Sequence, residues 1–146
     1  MGKTLTFIFT VICVAALTGC SGEAPQDDVP DAELVGTLWT LEAIEVPGEP
    51  EILPGATKVY SIQFSEDYLF EGHLDCNTYS GEYASAEGDL MQISIRYITK
   101  RGCHDSNKSM DERYSAGISA VYSFKIIGNQ LWLYFDDSAL KFQKME

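Results

Sequence analysis

Basic residues are scarce in this 146-residue chain, where 10 Lys plus Arg stand against 22 Asp plus Glu for a net charge of −12 at pH 7. A surface with that balance repels phosphate backbones, which removes nucleic acid from the natural partners. Histidine is scarcer still, with His73 and His104 the only imidazoles. A nucleophilic triad therefore has almost no base to draw on, and neither a Gly-x-Ser-x-Gly elbow nor a phosphate loop ending in Gly-Lys-Ser/Thr occurs. The adjacent carboxylates Asp27-Asp28 and Asp136-Asp137 read as tether and turn. No catalytic residue is assigned, and neither enzymatic activity nor a cofactor is expected. A membrane-spanning run is also missing: Leu5 to Leu17 is uncharged and mostly apolar but falls short of the roughly 20 residues a span needs.

What that run does fit is an address. Lys3 supplies a positive n-region, the apolar stretch follows, and Leu17-Thr18-Gly19-Cys20 resembles the bacterial lipobox. Residues 1–19 are expected to be a signal peptide and Cys20 the lipidated N-terminus of the mature chain, the alternative being an ordinary signal peptide with an incidental cysteine. Two or more acyl chains hold a protein on a bilayer without any spanning helix. With Ser21 rather than Asp after the lipidated residue, the expected location is the cell envelope, on the outer membrane facing the periplasm. Residues 20–33 carry five acids, two prolines and little apolar bulk, so they read as a flexible tether.

From residue 34 to the C-terminus, composition and patterning are those of one small domain. Thr37 to Val46 reads as a strand and the proline-rich Pro47 to Gly55 as a surface loop. Tyr60, Ile62 and Phe64 alternate with polar residues, and strands follow at Tyr68 to Leu74, Gly81 to Ala84 and Leu90 to Tyr97. In the last of these Met91, Ile93, Ile95 and Tyr97 are expected on one face. Met110, Tyr114, Ile118 and Val121 recur at helical spacing behind the capping-box pattern Ser109 to Glu112, which predicts one helix over 110–121. Gly128-Asn129 suits a two-residue primed turn. That turn pairs Ile126 with Leu131, Phe124 with Leu133 and Tyr122 with Phe135 on the core side. Lys125 then falls opposite Trp132 and Ser123 opposite Tyr134 on the outer side. Leu140 and Phe142 end the domain as a last strand. The count favours a mostly β, α+β fold: a curled antiparallel sheet or partly open barrel of seven to eight strands with one covering helix.

Cys13 lies in the apolar run and Cys20 in the lipobox, leaving Cys76 and Cys103 in the domain. In an oxidising compartment two such thiols are most simply a disulfide, worth roughly 3 to 4 kcal/mol by loop entropy, with free buried thiols as the alternative. His73, Cys76, Cys103 and His104 have the residue types of a zinc site, but odd spacing on a strand sends each His and its neighbouring Cys to opposite faces. Asp75, Asn77, Asp105 and Asn107 are hard oxygen ligands without EF-hand spacing, and they read as turn residues. No metal site is assigned.

The blocks Gly36-Thr37-Leu38-Trp39-Thr40-Leu41, Phe70-Glu71-Gly72, Cys76-Asn77-Thr78-Tyr79-Ser80-Gly81-Glu82-Tyr83, Thr99 to Cys103 and Glu112-Arg113-Tyr114 occur in order. Together they resemble the META domain, the HslJ-like family of bacterial envelope proteins. The departure is Thr99-Lys100-Arg101-Gly102-Cys103, where the family commonly has Thr-x-Met-Ala-Cys. The resemblance implies a compact β-rich fold with one helix, no catalytic residues, and in some members a link to envelope stress or motility. It also implies a likeness to pilotin lipoproteins, which shelter apolar tails. Two functions are thus expected: a non-enzymatic binding or structural domain with an unknown protein partner, or a carrier for an acyl chain or apolar peptide. The binding surface is expected at Trp132, Tyr134 and Lys125 on the outer face of the C-terminal hairpin.

Overall fold

The computed structural model describes residues 31–86, 88–102 and 107–145. The expected signal peptide, Cys20 and nearly all of the expected tether lie outside the described residues, as do Cys103, His104 and Asp105. Eight strands follow in chain order: β1 Leu38–Glu45, β2 Ser61–Phe64, β3 Leu69–His73, β4 Thr78–Ala86, β5 Leu90–Ile98, β6 Ser123–Ile127, β7 Gln130–Phe135 and β8 Ser138–Lys144, with helix α1 Lys108–Ser119 between β5 and β6. Each strand pairs antiparallel with the next and β8 returns to β1, closing an uneven ring. The expected mostly β fold with one helix is the one observed.

The ring has a weak seam. Whereas β4 and β5 pair along nearly their whole length, β5 and β6 share the single register pair Leu90↔Ser123, flanked by bonds from Met91 N–H to the Tyr122 carbonyl and from Phe124 N–H to the Asp89 carbonyl. The helix that the chain inserts between these two strands packs on β5, β7 and β8 and buries Met110, Tyr114, Gly117 and Ile118. Its apolar stripe continues to buried Val121 beyond the helix end. The helix begins two residues before the expected start. Asn107, not Ser109, is the N-cap, and its Oδ1 accepts the Met110 N–H at 3.2 Å. An Asx side chain two residues upstream outcompetes the capping box because the backbone is already held there by Asp75, which accepts the Asn107 N–H at 3.0 Å.

The C-terminal hairpin has the register read from its turn, with Ile127↔Gln130, Ile126↔Leu131, Phe124↔Leu133, Lys125↔Trp132 and Ser123↔Tyr134 paired, but the expected Tyr122–Phe135 pair is not formed: β6 starts at Ser123 and Tyr122, expected on the core side, is exposed. Gly128 supplies the left-handed φ of 60° that the primed turn requires. Two other expectations need correction. Tyr97 does not share the face of Met91 and Ile93; it is 75% exposed. A bulge pairs Ser80 with Tyr97 but Gly81 with Ile95, so Arg96 is the extra residue and the alternation flips beyond it. The proline-rich loop is not wholly free of the ladder either, because Ile52 exchanges both backbone bonds with Ile44 at 2.9 and 3.0 Å.

Candidate functional site

The interior of the ring is occupied by aromatic rings that satisfy one another. Tyr114, fully buried on α1, packs against Tyr60, Tyr79 and Phe142 with centroid distances of 5.2, 5.8 and 6.1 Å. Its hydroxyl meets that of Tyr79 at 2.7 Å, and both reach the Ser61 carbonyl, at 3.3 and 3.1 Å. Tyr79 can lie across β3 because Gly72 is there: a Cβ at that position would stand 2.2 Å from the Ser61 carbonyl oxygen and 2.5 Å from the Tyr79 ring. Burial pushes the phenols of Tyr79 and Tyr114 well above their ordinary range, so they stay neutral hydrogen-bonding groups. Tyr83 repeats the arrangement beside Phe64, its hydroxyl donating to the Ser65 carbonyl at 2.8 Å, and burial raises its phenol to about 12.

A second polar chain ties the helix start to the ring. The Tyr60 hydroxyl donates to Asp111 Oδ1 at 2.7 Å, and the Asp75 N–H reaches the same oxygen at 3.3 Å. The Asp75 side chain, 2% exposed, takes the Lys58 ammonium at 2.8 Å as well as the Asn107 N–H. Its burial alone would raise the carboxyl, but the bonds from Lys58 and Asn107 outweigh it and hold the group below its ordinary value. Across the same turn, Asn77 Oδ1 accepts the Arg101 N–H at 2.7 Å and the Thr99 hydroxyl at 3.1 Å. The oxygens weighed as calcium ligands at Asp75 and Asn77 are thus engaged by backbone and side-chain donors, and Asn107 caps the helix. No group of three or more His, Cys, Asp and Glu positioned to hold a metal occurs among the described residues. His73 is exposed on β3, while Cys76 is half-buried in the turn with its Sγ 3.7 Å from the Arg101 carbonyl oxygen, two residues before Cys103.

Two of the concave surfaces of the domain bear on a site. The one anticipated on the hairpin is a groove of about 490 Å³, lined by Tyr122, Trp132 and Tyr134, by Val46 and Pro47 of the loop, and by the acids Glu45, Glu49, Glu51, Asp136 and Asp137. Chain geometry creates it: the end of β1 pairs with the start of β8, which places the loop leaving β1 beside the β7–β8 turn. Trp132 and Tyr134 are both there, half-buried, whereas Lys125 is exposed and is not among the lining residues. The cation over the indole is instead Lys141 on β8, its Nζ 5.3 Å from the ring centroid and 3.5 Å from Glu42. Pairing the hairpin alone hid this, because Trp132 lies between β6 and β8 and the Trp132↔Lys141 pair belongs to the second ladder. Among the described residues the buried Trp132 Nε1–H has no hydrogen-bond partner, nor has the buried Thr40 Oγ1. The five carboxylates were also missed as a group. Glu45 ends a strand, Glu49 and Glu51 follow in the loop and Asp136-Asp137 form a turn far along the chain, so no local pattern groups them.

The second surface is a shallow cavity of about 800 Å³ across the outer face of β2, β3, β4 and β5, with Leu69 and Tyr97 exposed on it. Its rim carries both charge signs, and Arg96 is paired with Glu82 at 3.0 Å.

The match that decides the family covers the whole domain, since the META domain model aligns with residues 32–146. The chain belongs to the META domain family. Residues in the blocks that carry the resemblance build the ring: Trp39 donates to the Leu34 carbonyl at 3.3 Å, Asn77 pins residue 101, and Tyr79 and Tyr114 form the central hydroxyl pair. Among solved structures, a protein from Burkholderia xenovorans is similar with a TM-score of 0.61, 19% identity, and coverage of 77% of this chain and 84% of that one. A DUF4847 family protein from Bacteroides vulgatus gives a TM-score of 0.57 at 14% identity, covering 75% of this chain and 93% of that one. A third structure, solved by NMR, gives 0.54 at 21% identity, with 76% of this chain and 91% of that one covered. These likenesses establish the shared fold. Comparison with curated proteins gives no match. No helix among the described residues is long and apolar enough to cross a membrane.

Proposed function

We propose that this META protein is a lipid-anchored component of the bacterial envelope, held on the outer membrane through Cys20, whose domain is a non-enzymatic interaction module working through its outer surface. The observation that carries the second half is the seat of Tyr114. Helix α1 closes on the ring with its apolar stripe of Met110, Tyr114 and Ile118, and the hydroxyls at the centre bond to one another and to the Ser61 carbonyl. A carrier of acyl chains needs concave apolar volume for its guest, and here the interior holds Tyr114 and the rings packed on it. The first half rests on the order of Lys3, apolar run and Leu17-Thr18-Gly19-Cys20. A Cys76 to Cys103 disulfide belongs to the same reading, supported by the closeness of Cys76 Sγ to residue 101. Service in envelope stress is part of the proposal through the family likeness alone.

Native mass spectrometry of the full-length protein taken from envelope membranes tests both halves. The expected mass is that of the chain from Cys20 with its acyl groups, two hydrogens light for one disulfide, and no retained guest. A co-purified fatty acid, lipid or peptide bound one to one would establish the carrier instead. A precursor of unaltered length in the wild type would refute the lipid anchor.

A further inference from the structure

We propose that the groove under the 46–51 loop receives an arginine- or lysine-bearing segment of a partner protein. Its floor is aromatic, from Tyr122, Trp132 and Tyr134, and its walls carry five carboxylates with no Lys, Arg or His among the lining residues. None of the five is in an ion pair among the described residues, whereas Glu42, Asp75 and Glu82 elsewhere each have a cationic partner. A charged wall left without counter-charges around an aromatic floor is complementary to a cation with a flat or apolar body. Lys141 already stands over the indole, so the charge left for an incoming cation to meet is that of the five carboxylates. The same ring keeps an N–H that is buried and unpartnered, a stability cost that a phenylalanine would avoid. Trp is nevertheless the side chain that binds cations best.

The acids come from three separate segments, the end of β1, the loop and the β7–β8 turn. A single small cation meets one of these segments, while successive basic side chains on a peptide meet all three. Guanidinium groups suit the site best, because their planar forks engage carboxylates in pairs and stack on aromatic faces. The inference rests on the domain being an interaction module. A guest retained in the native mass spectrum would overturn that premise without altering the titration below.

The test is calorimetric titration of the full-length protein, in a neutral detergent, with hexa-arginine amide and separately with spermine. Two charge-matched double variants separate the groove from the general acidity of the chain: Glu49→Gln/Glu51→Gln in the loop, and Glu66→Gln/Glu71→Gln beside the outer cavity. The expected result is a one-to-one complex that the loop variant weakens about tenfold or more and the other variant less than about twofold, with spermine weaker than the peptide. Equal weakening by the two variants would reduce the effect to non-specific attraction and overturn the site. So would no measurable binding of the peptide. Spermine binding as tightly as hexa-arginine would overturn the protein partner in favour of a free polyamine.

Discussion

The inside of the ring and the outer face of its C-terminal hairpin are built from the same residue types and treat them in opposite ways. Inside, Tyr60, Tyr79, Tyr83 and Tyr114 each bury a ring and give the hydroxyl a partner within 2.8 Å. Outside, among the described residues, Trp132 keeps a donor without an acceptor, and the acids around it have no ion-pair partner. Satisfied polar groups in a low-dielectric interior specify one packing arrangement, whereas carboxylates with no ion-pair partner at a surface are open to a cationic one. The difference separates the residues that hold this domain together from those available to work.

The largest expected effect comes from emptying the inside. Tyr114→Ala removes the ring on which three others pack and should destabilise the domain by about 3–5 kcal/mol, read as the shift in urea midpoint at unchanged slope. A loss below about 1 kcal/mol would show that the interior is not organised around this helix.

Next in size is the Asp75 clamp. Asp75→Asn discards the charge that holds Lys58 and weakens the hold on Asn107, with an expected loss of about 1–3 kcal/mol at pH 7. The sign with pH follows from the depressed carboxyl. Its stabilisation is complete above the ordinary value of 3.8 and is lost as pH falls through the lower folded value, so the wild type and Asp75→Asn should converge in strong acid. Parallel acid-denaturation curves would refute the assignment.

The hydroxyl pair gives a smaller effect of opposite pH sense. Tyr79 and Tyr114 resist ionisation when folded, so their contribution is complete below the ordinary phenol value of 10.0 and declines as pH rises beyond it. Tyr114→Phe should cost about 1 kcal/mol at pH 7 and blunt alkaline unfolding, measured by circular dichroism up to pH 12.

The smallest effect is on the outside. Trp132→Phe removes an orphan donor and should leave stability within about 0.5 kcal/mol, or raise it, while weakening the binding of hexa-arginine. A loss of several kcal/mol would make Trp132 a core residue and erase the contrast between the two regions.

The contrast also explains what could be read in advance. Local patterns carried the strands, the helix stripe and the hairpin register, because Gly128 fixes the turn and period-two alternation fixes the faces. Tyr97 escaped because a bulge at Arg96 is a mismatch between two strands and has no signature in either one alone. The helix start escaped because Asp75, more than thirty residues upstream, decides which Asx or Ser caps it. Trp132 and Tyr134 were legible as an outer aromatic face. The groove itself was not, since its walls come from Glu45 to Glu51 and from Asp136-Asp137, which only the β1–β8 ladder brings together. Lys125 was paired with the indole on the one ladder the sequence could register, and Lys141 arrives from the other.

The central claim, that the ring is filled by its own side chains and does its work from outside, is tested most directly by titrating the full-length protein with N-phenyl-1-naphthylamine below the probe's own aggregation limit. A filled interior predicts no saturable fluorescence rise beyond that of the detergent blank, in the wild type and in Trp132→Phe alike. A saturable one-to-one rise that oleate displaces would show room inside the ring for an apolar guest, and would contradict the account.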